Sequence, residues 1–248
     1  MMAGLARLAI ALAALACAPL AHAGETHVAV AANFTEPARA LAAAFERQTG
    51  HRAVLSFGSS GVLYAQISQG APFEVFLSAD AERPVKAVAE KLAVRSSRFT
   101  YATGRLVLWS ADPRLVDAQG QVLRRGSFAR LAIADPALAP YGLAAMQTIA
   151  RLGLTARLTP RLVKGASIAQ TYQFVSTGAA ELGFVAQSQV IAVRGGSRWL
   201  VPARLHAPIA QQAVLLTRGA RDPAAIAFLR YLRTPAARAI IRRYGYAA

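Results

Sequence analysis

Short apolar runs alternate with helix-spaced patterns from Thr26 to the end of the chain. "HVAVAA" (27–32) has the unbroken apolar character of a strand buried on both faces. "EPARALAAAFERQTG" follows, with Phe34, Ala38, Leu41 and Phe45 spaced along one helix face, Pro37 suited to the first turn and Gly50 as a stop. "RAVLSF" predicts a second strand, and Val62, Leu63 and Ile67 mark a second helix ending near Gly70. "FEVFLSAD" predicts a third strand, leading into a helix from about Glu82.

A further set begins at "GRLVLWS". "RLAIADP" predicts a strand, and "YGLAAMQTIARLG" a helix with Leu143, Met146 and Ala150 inward. "RLVKG" and "ELGFVA" read as short strands around the helical "SIAQTYQFVSTG", and "RWLVP" and "IAQQAVLLTRG" as late strands. The last segment predicts two helices separated around Thr234–Pro235. Repeated strand–helix units predict an α/β architecture with mainly parallel sheets flanked by helices. The 248 residues suffice for one large sheet or two smaller lobes, and the pattern fits either.

Composition agrees with a core-forming chain: 55% of residues are hydrophobic and only 16% charged. Ahead of the first strand, Arg7, the run "LAIALAALACAPL" and the small-residue site "AHA" make the pattern of a secretory signal peptide over 1–23, with cleavage after Ala23. The run is short for a membrane span. Cys17 offers a rival lipoprotein reading, but Ala14 stands where such a signal has leucine. Loss of the leader on export removes the one cysteine, so stability in an oxidising compartment must come from the core rather than a disulfide.

The leader carries Arg7 and no acid, so its loss takes the net charge from +16 to about +15. That excess does not make a nucleic-acid interface. Basic residues are scattered, the densest groups are the pairs Arg124–Arg125 and Arg242–Arg243, and no basic-aromatic motif is present. A positive field of this kind speeds the arrival of a small anion.

Ligands of open α/β sheets gather beyond the carboxyl ends of strands. The predicted joins there hold Asn33, then Gly58-Ser59-Ser60-Gly61, then "PYG" (140–142) and "GASI" (165–168). These are neutral donors, with Lys164 the nearest cation in sequence. Any one Asn or Ser here is ordinarily a helix cap. Together, free N–H groups at helix starts favour a negative ligand.

A serine hydrolase based on Ser60 is the rival from another class, but neither "GSSG" nor "GASIA" has G-x-S-x-G spacing. His27, His51 and His206 are widely separated, and there is no zinc, Walker or dinucleotide motif. Asp80 and Asp135 follow strands as turn caps.

"VAVAANFTEPARALAAAFERQTG", "LSFGSSGVLYAQISQGAPFEVFLSAD", "LAIADPALAPYG", "ELGFVAQSQV" and "RRYGY" together resemble the periplasmic molybdate-binding proteins of ABC importers, the ModA family, in order and over nearly the whole mature chain. The resemblance implies a two-lobed solute-binding fold, with the ligand cleft between lobe I (24–103 plus 208–248) and lobe II (104–207). It implies capture of molybdate and tungstate without catalysis or a cofactor. Molybdenum enters only as the bound oxyanion, without direct protein–metal ligands. The implied partners are a membrane permease and its ATPase, with no nucleic acid, and the implied state is a monomer. Binding of another oxyanion, sulfate or phosphate, is the alternative within the class.

By the same resemblance the donors fall on Asn33 and Ser60 and on the backbone N–H groups of Tyr141 and Ile168, with Ala32 and Ser59 as further amide donors. Ala186 stands where some members carry a tyrosine hydroxyl, which leaves a fifth contact unassigned.

Overall fold

The computed structural model describes residues 23–248, so all of the expected leader but Ala23, Cys17 included, lies outside the described residues. The first strands and helices are β1 (Glu25–Ala31), a 3-10 turn (Ala32–Phe34), α1 (Thr35–Thr49), β2 (Arg52–Gly58), α2 (Ser60–Ser68), β3 (Val75–Ser78), α3 (Glu82–Ala89) and β4 (Phe99–Gly104). The middle of the chain forms β5 (Leu106–Ser110), α4 (Val122–Arg125), β6 (Leu131–Ala134), α5 (Pro140–Arg151), α6 (Thr155–Leu158), β7 (Leu162–Gly165), α7 (Ile168–Ser176), β8 (Leu182–Ala186), α8 (Gln187–Val190) and β9 (Ser197–Leu200). It closes with β10 (Ile209–Leu215), α9 (Pro223–Tyr231) and α10 (Pro235–Arg243).

Two five-stranded sheets result, in the orders β2-β1-β3-β10-β4 and β7-β6-β8-β5-β9. Three strands of each are parallel: β1 pairs with β2 and β3, and β6 with β7 and β8. The remaining pairings are antiparallel, because β10 runs against both its neighbours β3 and β4, and β5 against β8 and β9. The chain passes from the first sheet to the second between β4 and β5, and returns between β9 and β10. Each sheet is thus the core of one lobe.

Helix α1 shows why the apolar spacing works. Pro37, Ala38, Leu41 and Phe45 are buried, and Phe45 meets Phe228 of α9 edge-on at 5.1 Å. Burial of side chains of this size stabilises by about 1.5–3 kcal/mol each. The helix ends on Gly50 in the left-handed conformation at φ 74°, its N–H closing onto Glu46 C=O, where a side chain would be strained.

The phase of α5 differs from the expected one. Leu143 and Ala150 are exposed and Met146 is half-buried, while Tyr141, Ala145 and Ile149 face the sheet. Nearly every position of that helix is apolar, so spacing alone does not choose the inward stripe. Val62 is likewise exposed, with Leu63, Tyr64 and Ile67 buried in its stead. Among the described residues no helix is long and apolar enough to cross a membrane.

Candidate functional site

Four helix starts issue from the carboxyl ends of parallel strands: the 3-10 turn with α1 from β1, α2 from β2, α5 from β6 and α7 from β7. Tertiary structure brings these ends together across the lobe boundary. Gly61 N–H, in α2, donates to Leu138 C=O just before α5 at 2.9 Å. The Ser188 hydroxyl on α8 donates to Asn33 C=O at 2.8 Å. One buried cluster joins Ala31, Ala32 and Ala79 of the first lobe to Ala134, Tyr141, Ile168 and Ala186 of the second. Alanines at the strand ends let the two backbones approach closely.

The first-turn amides of a helix have no acceptor within it, so each must be traced. In α2, Leu63 N–H returns to Ser59 C=O, Val62 N–H to the Ser59 hydroxyl, and Gly61 N–H crosses to Leu138, which leaves Ser60 N–H. In α5, Gly142 and Leu143 N–H both return to Ala139 C=O, which leaves Tyr141 N–H. In α7, Gln170 and Thr171 N–H turn to Ser167, which leaves Ile168 and Ala169. The remaining amides at Ser60, Tyr141 and Ile168 are the positions expected as donors.

The side chains divide differently. Ser60 is buried at 1% exposure, and its oxygen accepts Ala79 N–H at 2.9 Å, so its own hydrogen is free to donate. Ser59 is a helix cap, its hydroxyl facing Val62 N–H. Tyr141 sends its ring away into the lobe junction, where its hydroxyl packs against Gly104 and accepts from Gln211 Nε2 at 3.4 Å. Ile168 is buried, and its carbonyl accepts from Gln189 Nε2 at 3.0 Å.

Asn33 is 3% exposed and gives both amide hydrogens to protein, one to Gln211 Oε1 and one to the Tyr246 hydroxyl, each at 2.9 Å. Ala32 and Asn33 line a cavity of about 220 Å³ with Thr35, Glu36, Pro37, Ala169, Tyr172, Ser188 and Gln189, whereas Ser60, Tyr141 and Ile168 do not line it. At Ala186 the backbone N–H is bound to Gln189 Oε1 at 2.9 Å and the methyl is fully buried.

A cation does reach this region, from outside the turns themselves. Arg83 lies against Gly61 and donates to Ala137 C=O at 3.1 Å, bridging the lobes. Its charge is matched by Asp80, with which it forms an ion pair. Asp80 also accepts the Arg83 backbone N–H at 3.0 Å and Asp135 that of Ala137 at 3.0 Å, both as turn caps. Burial raises the hydroxyls of Tyr101 and Tyr141 well above the ordinary tyrosine value, and raises Tyr246. The junction is therefore lined by neutral hydroxyls at physiological pH.

Sequence reading missed Gln211, Tyr246 and Ser188. The available signal was Gln211, a fully buried amide inside the otherwise apolar "IAQQAVLL". Tyr246 and Ser188 carried none, because their partner Asn33 is far away in the chain.

The profile of the bacterial extracellular solute-binding protein family matches residues 26–247. The molybdate-binding protein ModA of Rhodobacter capsulatus is 58% identical over 226 residues, covering 91% of this chain and 89% of that protein. ModA of Azotobacter vinelandii is 55% identical over 247 residues, covering 98% and 97%. The solved periplasmic molybdate-binding protein of Azotobacter vinelandii superposes with a TM-score of 0.87 at 45% identity, over 90% of this chain and 99% of that one. The two mixed sheets, the helix starts gathered between them and these likenesses agree: the chain belongs to the bacterial extracellular solute-binding proteins and, within them, to the ModA family.

Proposed function

We propose that the chain captures molybdate, and tungstate with it, between its lobes in the periplasm and delivers it to an ABC-type permease with its ATPase. No bond is made or broken in the process. The observation that carries this reading is the set of uncommitted first-turn amides at Ser60, Tyr141 and Ile168, gathered at the lobe junction with the Ser60 hydroxyl. A helix start is equivalent to about +0.5 elementary charge, so four converging starts amount to about +2. That balances a dianion without a lysine or arginine in contact with it. Rigid neutral donors of fixed spacing also let the size of the anion govern affinity. Relatives whose names state molybdate binding, at 58% and 55% identity, support the same ligand.

The hydrolase reading finds no support. Ser60 receives a backbone N–H, and the histidines among the described residues are engaged elsewhere: His27 beside Glu25, His51 with Gly24, His206 with Ala207.

Calorimetric titration of dialysed protein with molybdate, tungstate, sulfate and phosphate tests the proposal. Molybdate and tungstate are expected to bind far more tightly than the other two. Saturation at a hundred times the dissociation constant should stabilise the fold by about 2.7 kcal/mol. Equal affinity for sulfate would reject molybdate and keep a general oxyanion binder. Absence of binding by all four would reject both.

A further inference from the structure

The buried polar cluster behind Asn33 is more elaborate than anchoring requires. Gln211 lies on β10, where the ladder to β4 slips between Gln211 and Gln212. Such a bulge re-aims a side chain, and Gln211 is turned fully inside while Gln212 stays accessible and pairs with Arg98 and Thr100. Gln211 Oε1 accepts from Asn33 Nδ2 at 2.9 Å and from the Tyr101 hydroxyl at 3.1 Å, and its Nε2 donates to Tyr141. The Tyr246 hydroxyl accepts from Asn33 Nδ2, donates to Asn33 C=O at 2.7 Å and lies 2.9 Å from the Ser188 hydroxyl.

In this arrangement Asn33 has no amide hydrogen left for a guest. Its remaining atom, Oδ1, is an acceptor and repels an oxyanion.

A second arrangement satisfies the same atoms. If both amides turn over, Gln211 Nε2 donates to Asn33 Oδ1, and the Tyr246 hydroxyl moves its hydrogen to that oxygen from Asn33 C=O, which keeps the Ser188 hydroxyl as its donor. Tyr141 donates to Gln211 Oε1. Tyr101 gives its hydrogen to Ser78 C=O, which already lies 3.2 Å away. No proton is gained or lost, because each hydroxyl can donate or accept. Asn33 then turns its NH2 outward, beside the cavity it lines with Ala32, Glu36 and Ser188.

We propose that Asn33 and Gln211 form a coupled amide switch, with Gln211 the positioning residue that sets whether Asn33 offers an acceptor or hydrogens to the bound anion. The inference rests on the proposal that this junction holds an oxyanion. An acceptor-only anion selects the outward-NH2 arrangement, and Gln211 contributes to affinity without touching it.

The test uses the full mature chain. In 13C,15N-labelled wild type, the side-chain NH2 resonances of Asn33 and Gln211, each assigned through its own backbone, are expected to shift together on adding molybdate. By calorimetry, Gln211→Leu and Tyr246→Phe should each weaken molybdate about tenfold, the scale of one hydrogen bond to a charged group, and Tyr246→Phe should still melt cooperatively. If Gln211→Leu does not fold, the wild-type spectra and Tyr246→Phe decide.

Saturation of wild type with the Gln211 resonances stationary overturns the switch while leaving the binding function intact. Wild-type affinity in Tyr246→Phe does the same. A wild type that binds no oxyanion sinks the function itself, and the switch with it.

Discussion

Replacing Ser60 by alanine separates the binding role of the "GSSG" turn from its structural one. The Ser60 oxygen is buried and accepts Ala79 N–H at 2.9 Å, so the substitution removes two interactions. Orphaning the Ala79 amide costs about 1–3 kcal/mol of stability. For a chain of this size that lowers the melting temperature by a few degrees per kcal/mol, roughly 2–4 °C each. Losing a hydroxyl donor to a dianion costs a further 1.5–3 kcal/mol or so of binding, a factor of about 10 to 150 in the dissociation constant.

Ser59→Ala is the internal control, because Ser59 only caps α2. It should lose about 0.5–2 kcal/mol of stability and keep its affinity. Melting curves and molybdate calorimetry on both variants give the two numbers independently. The reasoning fails if Ser60→Ala binds within twofold of wild type, or if Ser59→Ala shows the larger loss of affinity.

Glycine substitutions probe the lobe junction. A Cβ on Gly104 would collide with the Tyr141 hydroxyl and meet Gln211 Nε2, so Gly104→Ala should weaken molybdate and lower the melting temperature together, in paired calorimetry and melts. A Cβ on Gly61 would press on Leu138 C=O at 3.0 Å and Arg83 Nη2 at 3.1 Å. Gly61→Ala should therefore accelerate molybdate dissociation in stopped-flow measurements through a looser lobe contact.

Acid should destabilise the second lobe through two carboxylates. Burial alone raises Asp117 and Glu181, but backbone N–H donation from Gln121, Gln119 and Val122 to the first, and from Ala129 and Arg130 to the second, lowers both. Groups depressed in the folded state add stability at neutral pH that is lost as pH falls through their folded values. Unfolding free energy measured from neutral to acid pH should decline more steeply in wild type than in the Asp117→Asn, Glu181→Gln double variant. Parallel profiles would refute this.

Much of the fold was legible because burial is periodic. The strand "HVAVAA" and the helix face of Phe34, Ala38, Leu41 and Phe45 carry their partners' hydrophobicity in their own spacing. The break at Thr234–Pro235 was equally plain, because Pro235 opens α10 and Thr234 caps it. The phase of α5 was not legible, since an almost uniformly apolar helix offers more than one inward stripe and packing against the sheet picks it.

The site follows the same division. Helix starts and their glycine and serine chemistry are local, so Ser60, Tyr141 and Ile168 could be read as ends of helices from the chain itself. The pairing of Asn33 with Gln211 and Tyr246 spans 178 and 213 residues of chain, and the approach of Arg83 to Ala137 spans 54. Sequence by itself determined where the helices begin, and the family resemblance singled out Ser60, Tyr141 and Ile168 among their first-turn groups. Only the tertiary structure decided that the helix starts meet at the lobe boundary, and which side chains stand behind them, because hydrogen bonds and close contacts depend on distance in space and leave no periodic trace along the chain.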